Sequence, residues 1–242
     1  MRKTLLIAAS ALAASVISSQ AQVYSQNIVG YVNVPVANGN YLALANPLVN
    51  TTSDSITNLL NNTGQWDGAS LYVWAGTSYN VYTIDSAWPT GVGNALDSAA
   101  TNAPILDPGQ GFFLNNQSGN SNTITFVGSV QIASIPGTST NTFGAHPLSS
   151  ISSVIPVGGG LSTVLNFPHD GSLDGDALDI PKIVNGVFSG YNVVSIDSVW
   201  TSGYGNALDN AQVLEPVIPV ATGFFFVNYN GGSVAWVQTL SP

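Results

Sequence analysis

The sequence predicts an all-β protein made of two tandem homologous antiparallel modules, sandwich-like or barrel-like, behind an N-terminal signal peptide. Three observations predict it. The stretch YNVYTIDSAWPTGVGNALDSA at 79–99 returns at 191–211 as YNVVSIDSVWTSGYGNALDNA. Short runs rich in Val, Ile, Tyr, Phe and Trp alternate with Gly, Asn, Pro and Ser along the chain, a composition of strands and turns rather than helices. The chain also opens with Arg2 and Lys3, followed by an uncharged run from Thr4 to Ser19 and the small residues Ser19 and Ala21. That is the pattern of a secretory signal cleaved after Ala21, placing positions 1–21 outside the mature fold. Its apolar core is too short to span a bilayer comfortably.

The repeat sets the module boundaries. Tyr79 falls on Tyr191 and Trp88 on Trp200 at a shift of 112 positions, and the same shift carries Gly111-Phe112-Phe113 onto Gly223-Phe224-Phe225. Upstream, Val34-Pro35-Val36 matches Ile155-Pro156-Val157 and Pro47 matches Pro168 at a shift of 121, implying nine residues lost from the second copy between Pro47 and Leu71. Two modules follow, at 25–129 and 145–242, with the Gly/Ser/Thr-rich segment Pro136 to Thr142 between them.

Within the first module the signals are those of hairpins. Val29 to Val36 and Tyr41 to Ala45 flank Asn38-Gly39, a strong hairpin turn signal. Leu71 to Trp74 and Tyr79 to Ile84 flank Ala75 to Ser78, and Gly111 to Asn115 and Thr123 to Val127 flank the polar loop 116–122. Ser53 to Leu60 suggests one short helix capped by Ser53 or Asp54, with most of it missing from the second module. Gly158-Gly159-Gly160 aligns with the Asn38-Gly39 turn and precedes a strand, so it is not a phosphate-cradling loop.

An ALANPL-type strand end (Leu42 to Leu48), LYVW with YNVYT (Leu71 to Thr83), PGQGFFLNN (Pro108 to Asn116) and TITFVGSV (Thr123 to Val130) resemble the motifs of a family of exported bacterial tandem β-module proteins. Members of that family pair an NP-ending strand, a VYxW hairpin and a PGQGFF strand. The resemblance implies a fold and export, with no shared activity and no catalytic residues to carry over. The second module departs from it, with Ala221-Thr222-Gly223 for Gly109-Gln110-Gly111 and Asn166-Phe167-Pro168 for Ala45-Asn46-Pro47.

Charge narrows the functions. The whole chain carries 3 Lys and Arg against 12 Asp and Glu, for a formal charge of -9. Losing Arg2 and Lys3 with the signal takes this to -11 and leaves Lys182 as the lone cation. Such a chain cannot hold phosphates by ion pairing, which argues against nucleic acid, and no later apolar run argues for membrane insertion after signal cleavage. There is no cysteine, so stability must come from burial.

Few residues suggest chemistry. Asp85 with Asp97 and Asp197 with Asp209 are paired carboxylates, as a glycosidase uses, but Asx turns after strands explain them as well. Asp170, Asp174, Asp176 and Asp179, spaced by Gly and Ser, could wrap oxygen ligands around Ca²⁺, although the spacing is not that of an EF-hand. His146 and His169 have no cysteine to share zinc with, and no Ser sits in a nucleophile-elbow sequence. Tyr72, Trp74, Tyr79, Trp88 and Trp200 could stack on sugar rings, although Trp88 and Trp200, repeated at the same place, are more simply core plugs. Phe112-Phe113 and Phe224-Phe225-Phe226 cannot all point inward along a strand, so either the two modules bury the remainder against each other, the favoured reading, or a partner does. The expected function is that of an exported, non-catalytic structural or adhesive protein. A glycan-binding module and a glycosidase are the alternatives, with self-assembly or an extracellular glycan as the partner and no cofactor beyond possible Ca²⁺.

Overall fold

The computed structural model describes residues 29–132, 136–184, 187–209 and 211–240; the segment 1–21, expected to be a signal peptide, lies outside them. The first half runs β1 (Val29–Val36), β2 (Tyr41–Ala45), α1 (Ile56–Leu60), β3 (Ser70–Trp74), β4 (Tyr79–Ile84), β5 (Val92–Asn94), β6 (Gly111–Asn115) and β7 (Asn122–Ser129). Five strands form an antiparallel sheet in the order β2-β6-β3-β4-β5, and β1 pairs with β7 in a separate ribbon. The expected β3–β4 hairpin is present, with Trp74 opposite Tyr79. The other two expected hairpins are not: β2 pairs with β6 and β1 with β7.

The Asn38-Gly39 turn bends the chain instead of reversing it. Asn116 holds the corner from the opposite strand. Its carbonyl accepts from Gly39 N at 2.6 Å and its N–H donates to Asn40 O at 2.8 Å. Its buried amide donates to Val36 O at 3.0 Å and Asn120 O at 2.8 Å. Local turn chemistry signals a change of direction, but only the long-range partner decides which one.

The second half runs β8 (Gly137–Phe143), β9 (Leu148–Ile151), β10 (Gly159–Gly160), β11 (Ala177–Val184), β12 (Val187–Ile196), β13 (Tyr204–Asn206), β14 (Val217–Ile218), β15 (Phe224–Val227) and β16 (Val234–Leu240). Its five-stranded sheet, β9-β15-β11-β12-β13, has the strand order of the first, and β8 pairs with β16 as β1 does with β7. Asn228 holds the corresponding corner, its amide donating to Gly144 O at 2.6 Å and Gly232 O at 2.8 Å. Among the described residues no sheet closes into a barrel.

The registers correct the upstream alignment. Ser70 lies opposite Thr83 and Asn115, whereas Ala177 lies opposite Ser195 and Val227. Both partner pairs are 112 positions apart, so Ser70 answers Ala177 at a shift of 107. The second half therefore carries five extra residues in the β11–β12 hairpin, and the inferred nine-residue loss upstream does not occur. Ile155 to Val157 lie in no strand, Gly159–Gly160 pair with Ile218 and Val217 instead of turning a hairpin, and most of the segment expected between modules is β8.

The helical turn is not lost either. Ser55 caps α1, accepting from Asn58 N, while Asp54 instead accepts from Asn46 and from the backbone of Asn50. In the second half Val164 N and Leu165 N donate to Gly160 O, forming a matching turn. Asn61 and Asn166 end the two turns in left-handed conformation, at φ 45° and 54°. Leu161 and Leu165 are buried as Ile56 and Leu60 are.

Phenylalanines divide by strand parity, as expected. Phe112 enters the first core, and Phe224 and Phe226 enter the second. Phe113 and Phe225 point the other way and stack between the sheets at 6.2 Å. The backbone contact there is reciprocal: Ala45 N donates to Ala221 O and Ser152 N to Gly109 O, both at 2.9 Å. Gly111 and Gly223 meet at this contact. A Cβ on Gly223 would lie 2.8 Å from Gly111 Cα, which fixes both positions as glycine.

Candidate functional site

The aromatic platform expected for sugars is spent on this internal contact. Trp74 packs edge-on to Phe225 at 5.8 Å and donates its indole N–H to Leu148 O at 3.0 Å. Tyr79 lies against Phe113, and Tyr72 against Tyr41 and Tyr79. Burial pushes the Tyr41 and Tyr79 phenols well above their usual range and the Tyr191 phenol up to about 12. Trp88 and Trp200 are not core plugs: each is half-buried, its ring lying over a glycine five residues on. A Cβ on Gly93 would sit 2.4 Å from the Trp88 ring, and one on Gly205 would sit 1.9 Å from the Trp200 ring.

The carboxylates do local backbone work. Asp85 accepts from Ala87 N at 2.8 Å, Asp97 from Ala99 N at 3.0 Å, Asp197 from Val199 N at 2.9 Å and Asp209 from Ala211 N at 3.1 Å. Each is an Asx turn, so the paired-acid reading finds no acid set apart for proton transfer.

The four aspartates considered for Ca²⁺ are taken apart by the fold. Asp170 caps the 3₁₀ turn Gly171–Leu173, and its hydrogen bonds with Ser172 hold it below the usual carboxylate range. Asp174 accepts from Ser198 N at 2.7 Å and Ser198 Oγ at 2.9 Å. Asp176, buried at 1% exposure, accepts from Tyr229 N and Asn230 N. Asp179 sits in β11, its carboxyl raised by burial. Among the described residues no group of three or more His, Cys, Asp and Glu is placed to hold a metal ion.

One polar cluster escaped the sequence reading. Ser162 Oγ and Tyr204 Oη share a short contact of 2.5 Å, and Glu215 accepts from the backbone of Ser162 and from Thr163 N at 2.6 Å. Burial works to raise the Glu215 carboxyl, but the bonds from Thr163 and Ser162 hold it below its usual range. Burial drives the Tyr204 phenol up to about 12. A weakened base beside a phenol that keeps its proton does not activate a nucleophile. Glu215 is the cap of the 161–165 turn.

What the repeated motif does build, twice, is a groove beside an exposed leucine. Asn94 Oδ1 accepts from Leu96 N and Asn206 Oδ1 from Leu208 N, each at 2.8 Å, so an Asx turn follows each edge strand. The chain then returns along that edge. Thr101 N donates to Val92 O at 3.2 Å and Val213 N to Tyr204 O at 3.1 Å. Leu96 and Leu208 are left at the tips, 93% and 92% exposed. Beside Leu208 lies a groove of about 440 Å³ lined by Tyr191, Val193, Val213, Leu214 and Val217. Beside Leu96 lies its counterpart of about 360 Å³, lined by Tyr79, Asn80, Val81 and Thr101. The sequence reading passed over both leucines, although an apolar residue present in both occurrences of the polar stretch GNALD was the available signal. Compared with family models, curated proteins and solved structures, the chain matches none of them.

Proposed function

We propose that the protein is an exported, non-catalytic structural or adhesive component that acts at the cell surface or outside the cell. The observation that carries this reading is the employment of the carboxylates. The acids most suggestive of catalysis each hold a backbone N–H two residues on, while the repeated motif presents apolar surface in both halves. Surface contact, not chemistry, is what such an arrangement offers.

Cell fractionation with an antiserum, combined with a hydrolase panel on the purified mature chain, tests it. The expected result is protein in the surface or extracellular fraction and no turnover. Robust turnover that is lost on Asp85→Asn or Asp197→Asn would contradict it. A glycan-binding reading draws on different residues from those first expected, because Tyr31 and Tyr229 are each 72% exposed. Glycan-array binding lost on Tyr229→Ala, in a chain that stays folded, would favour that reading.

A further inference from the structure

We infer that the cleft where the two halves meet is a binding site for a neutral, hydroxyl-rich ligand, a glycan. The inference rests on the adhesive reading above and names what the surface grips.

Both halves build the cleft. It encloses about 370 Å³, with Asp107, Pro108 and Gln110 contributed by the first half and Thr142, Ala145 and His146 by the second. Its frame is fixed by hydrogen bonds. Gln110 N donates to Asp107 O at 3.2 Å, closing a turn, and Asn141 Nδ2 ties that turn to β8 by donating to Gly109 O at 2.9 Å. The His146 ring lies beside the β3–β4 turn, where a Cβ on Gly76 would come within 3.8 Å of it. Neither half makes this hollow alone, and a junction between packed units is a common place for a ligand.

Unused hydrogen-bonding capacity sets the cleft apart. Among the described residues, Asp107 and Asp179 are the two acids whose carboxylates accept no hydrogen bond, and Asp179 lies within β11. The side chains of Gln110, Thr142 and His146 make none either, whereas His169 Nδ1 lies 3.3 Å from Phe167 O. Four side chains with free donors or acceptors therefore share one hollow.

The fold itself does not call for them. Pro219 stands 112 positions after Asp107, and Thr222 stands 112 after Gln110. Strand register pairs Thr142 with Pro35, because Pro35 lies opposite Thr123, Thr142 lies opposite Ala235, and those partners are again 112 apart. Prolines at two of the related places show that this backbone needs neither a carboxylate nor a hydroxyl there. The junction is repeated in its backbone bonds, but this polar set is gathered on one side of it.

The chemistry matches a sugar. A carboxylate accepts from neighbouring hydroxyls, the glutamine amide donates and accepts, the threonine hydroxyl does both, and the imidazole can do either. Pro108 and Ala145 offer apolar surface to the C–H faces of a ring. An anionic ligand is disfavoured, because it would meet Asp107 in a chain whose one cation in 29–240 is Lys182.

The test is an array of neutral and sialylated oligosaccharides probed with the full mature chain, followed by amide chemical-shift mapping with the neutral oligosaccharide that binds best. Neutral glycans should bind with a Kd on the order of 1 mM or tighter and shift amides in 107–110 and 142–150. Asp107→Ala and Gln110→Ala should each weaken binding about tenfold. Their melting temperatures should match wild type, since neither side chain is bonded within the protein. Tyr31→Ala, an exposed change that does not line the cleft, should leave binding intact. No binding to any neutral glycan, a preference for sialylated ones, or binding that survives both cleft variants but is lost on Tyr229→Ala would overturn the proposal. Turnover of the bound glycan that Asp107→Ala abolishes would overturn it too, by making the cleft an active site. A chain that binds no glycan, yet is found outside the cell and is inert in the hydrolase panel, would sink this inference and leave the broader reading standing.

Discussion

Gly93 and Gly205 lie in strands, where glycine ordinarily weakens packing. Here the absent side chain is the point, because Trp88 and Trp200 lay their rings on the bare backbone. Gly205→Ala should cost about 1–3 kcal/mol, the usual range for overpacking a filled site, as read by chemical denaturation. An alanine variant as stable as wild type would mean that the ring does not rest there. The glycine is visible in the sequence within GNALD, five residues after the tryptophan, but spacing alone cannot distinguish a turn glycine from one that seats a ring. The Asx turns were legible in advance because asparagine and aspartate act on backbone two residues away. Asn116 and Asn228 were not, because their partners are the corners of distant strands.

Strand content was legible for the same reason of locality: alternation and β-branched residues write it residue by residue. The β3–β4 hairpin could be read because its strands are neighbours in sequence. The pairing of β1 with β7 and β2 with β6 could not, because it joins residues 66 to 100 positions apart and depends on a corner that no local motif encodes. The strands facing the aromatic contact carry a pH dependence of definite sign. Burial raises Tyr41, Tyr79 and Tyr191 above their ordinary value of about 10. A group raised on folding contributes stability that is fully present below its unfolded pKa and is lost as pH rises through the folded one. The melting temperature should therefore fall as pH climbs past about 10. Tyr41→Phe, which keeps the ring and removes one titrating hydroxyl, should flatten that fall. An alkaline limb unchanged by Tyr41→Phe would place the loss elsewhere.

The two halves meet through Phe113, Phe225 and the reciprocal backbone bonds at Ala45 and Ser152. Parity anticipated that consecutive phenylalanines on one strand must serve two faces, and of the two readings it left open, the other half or a partner, the structure shows the other half. Phe113→Ala should cost about 3–5 kcal/mol, the range for emptying a buried aromatic site. The grooves were not anticipated, because each is assembled from a strand and a turn that meet only in the fold. Across the described residues no helix is long and apolar enough to cross a membrane.

The central claim is that the aromatic strands are satisfied inside the molecule, Phe113 and Phe225 packing against each other between the two sheets. Hydrogen–deuterium exchange followed across protein concentration tests it. Segments 111–115 and 224–227 should be protected at every concentration. Aromatic strands that exchange freely in dilute solution and become protected only on concentration would contradict it.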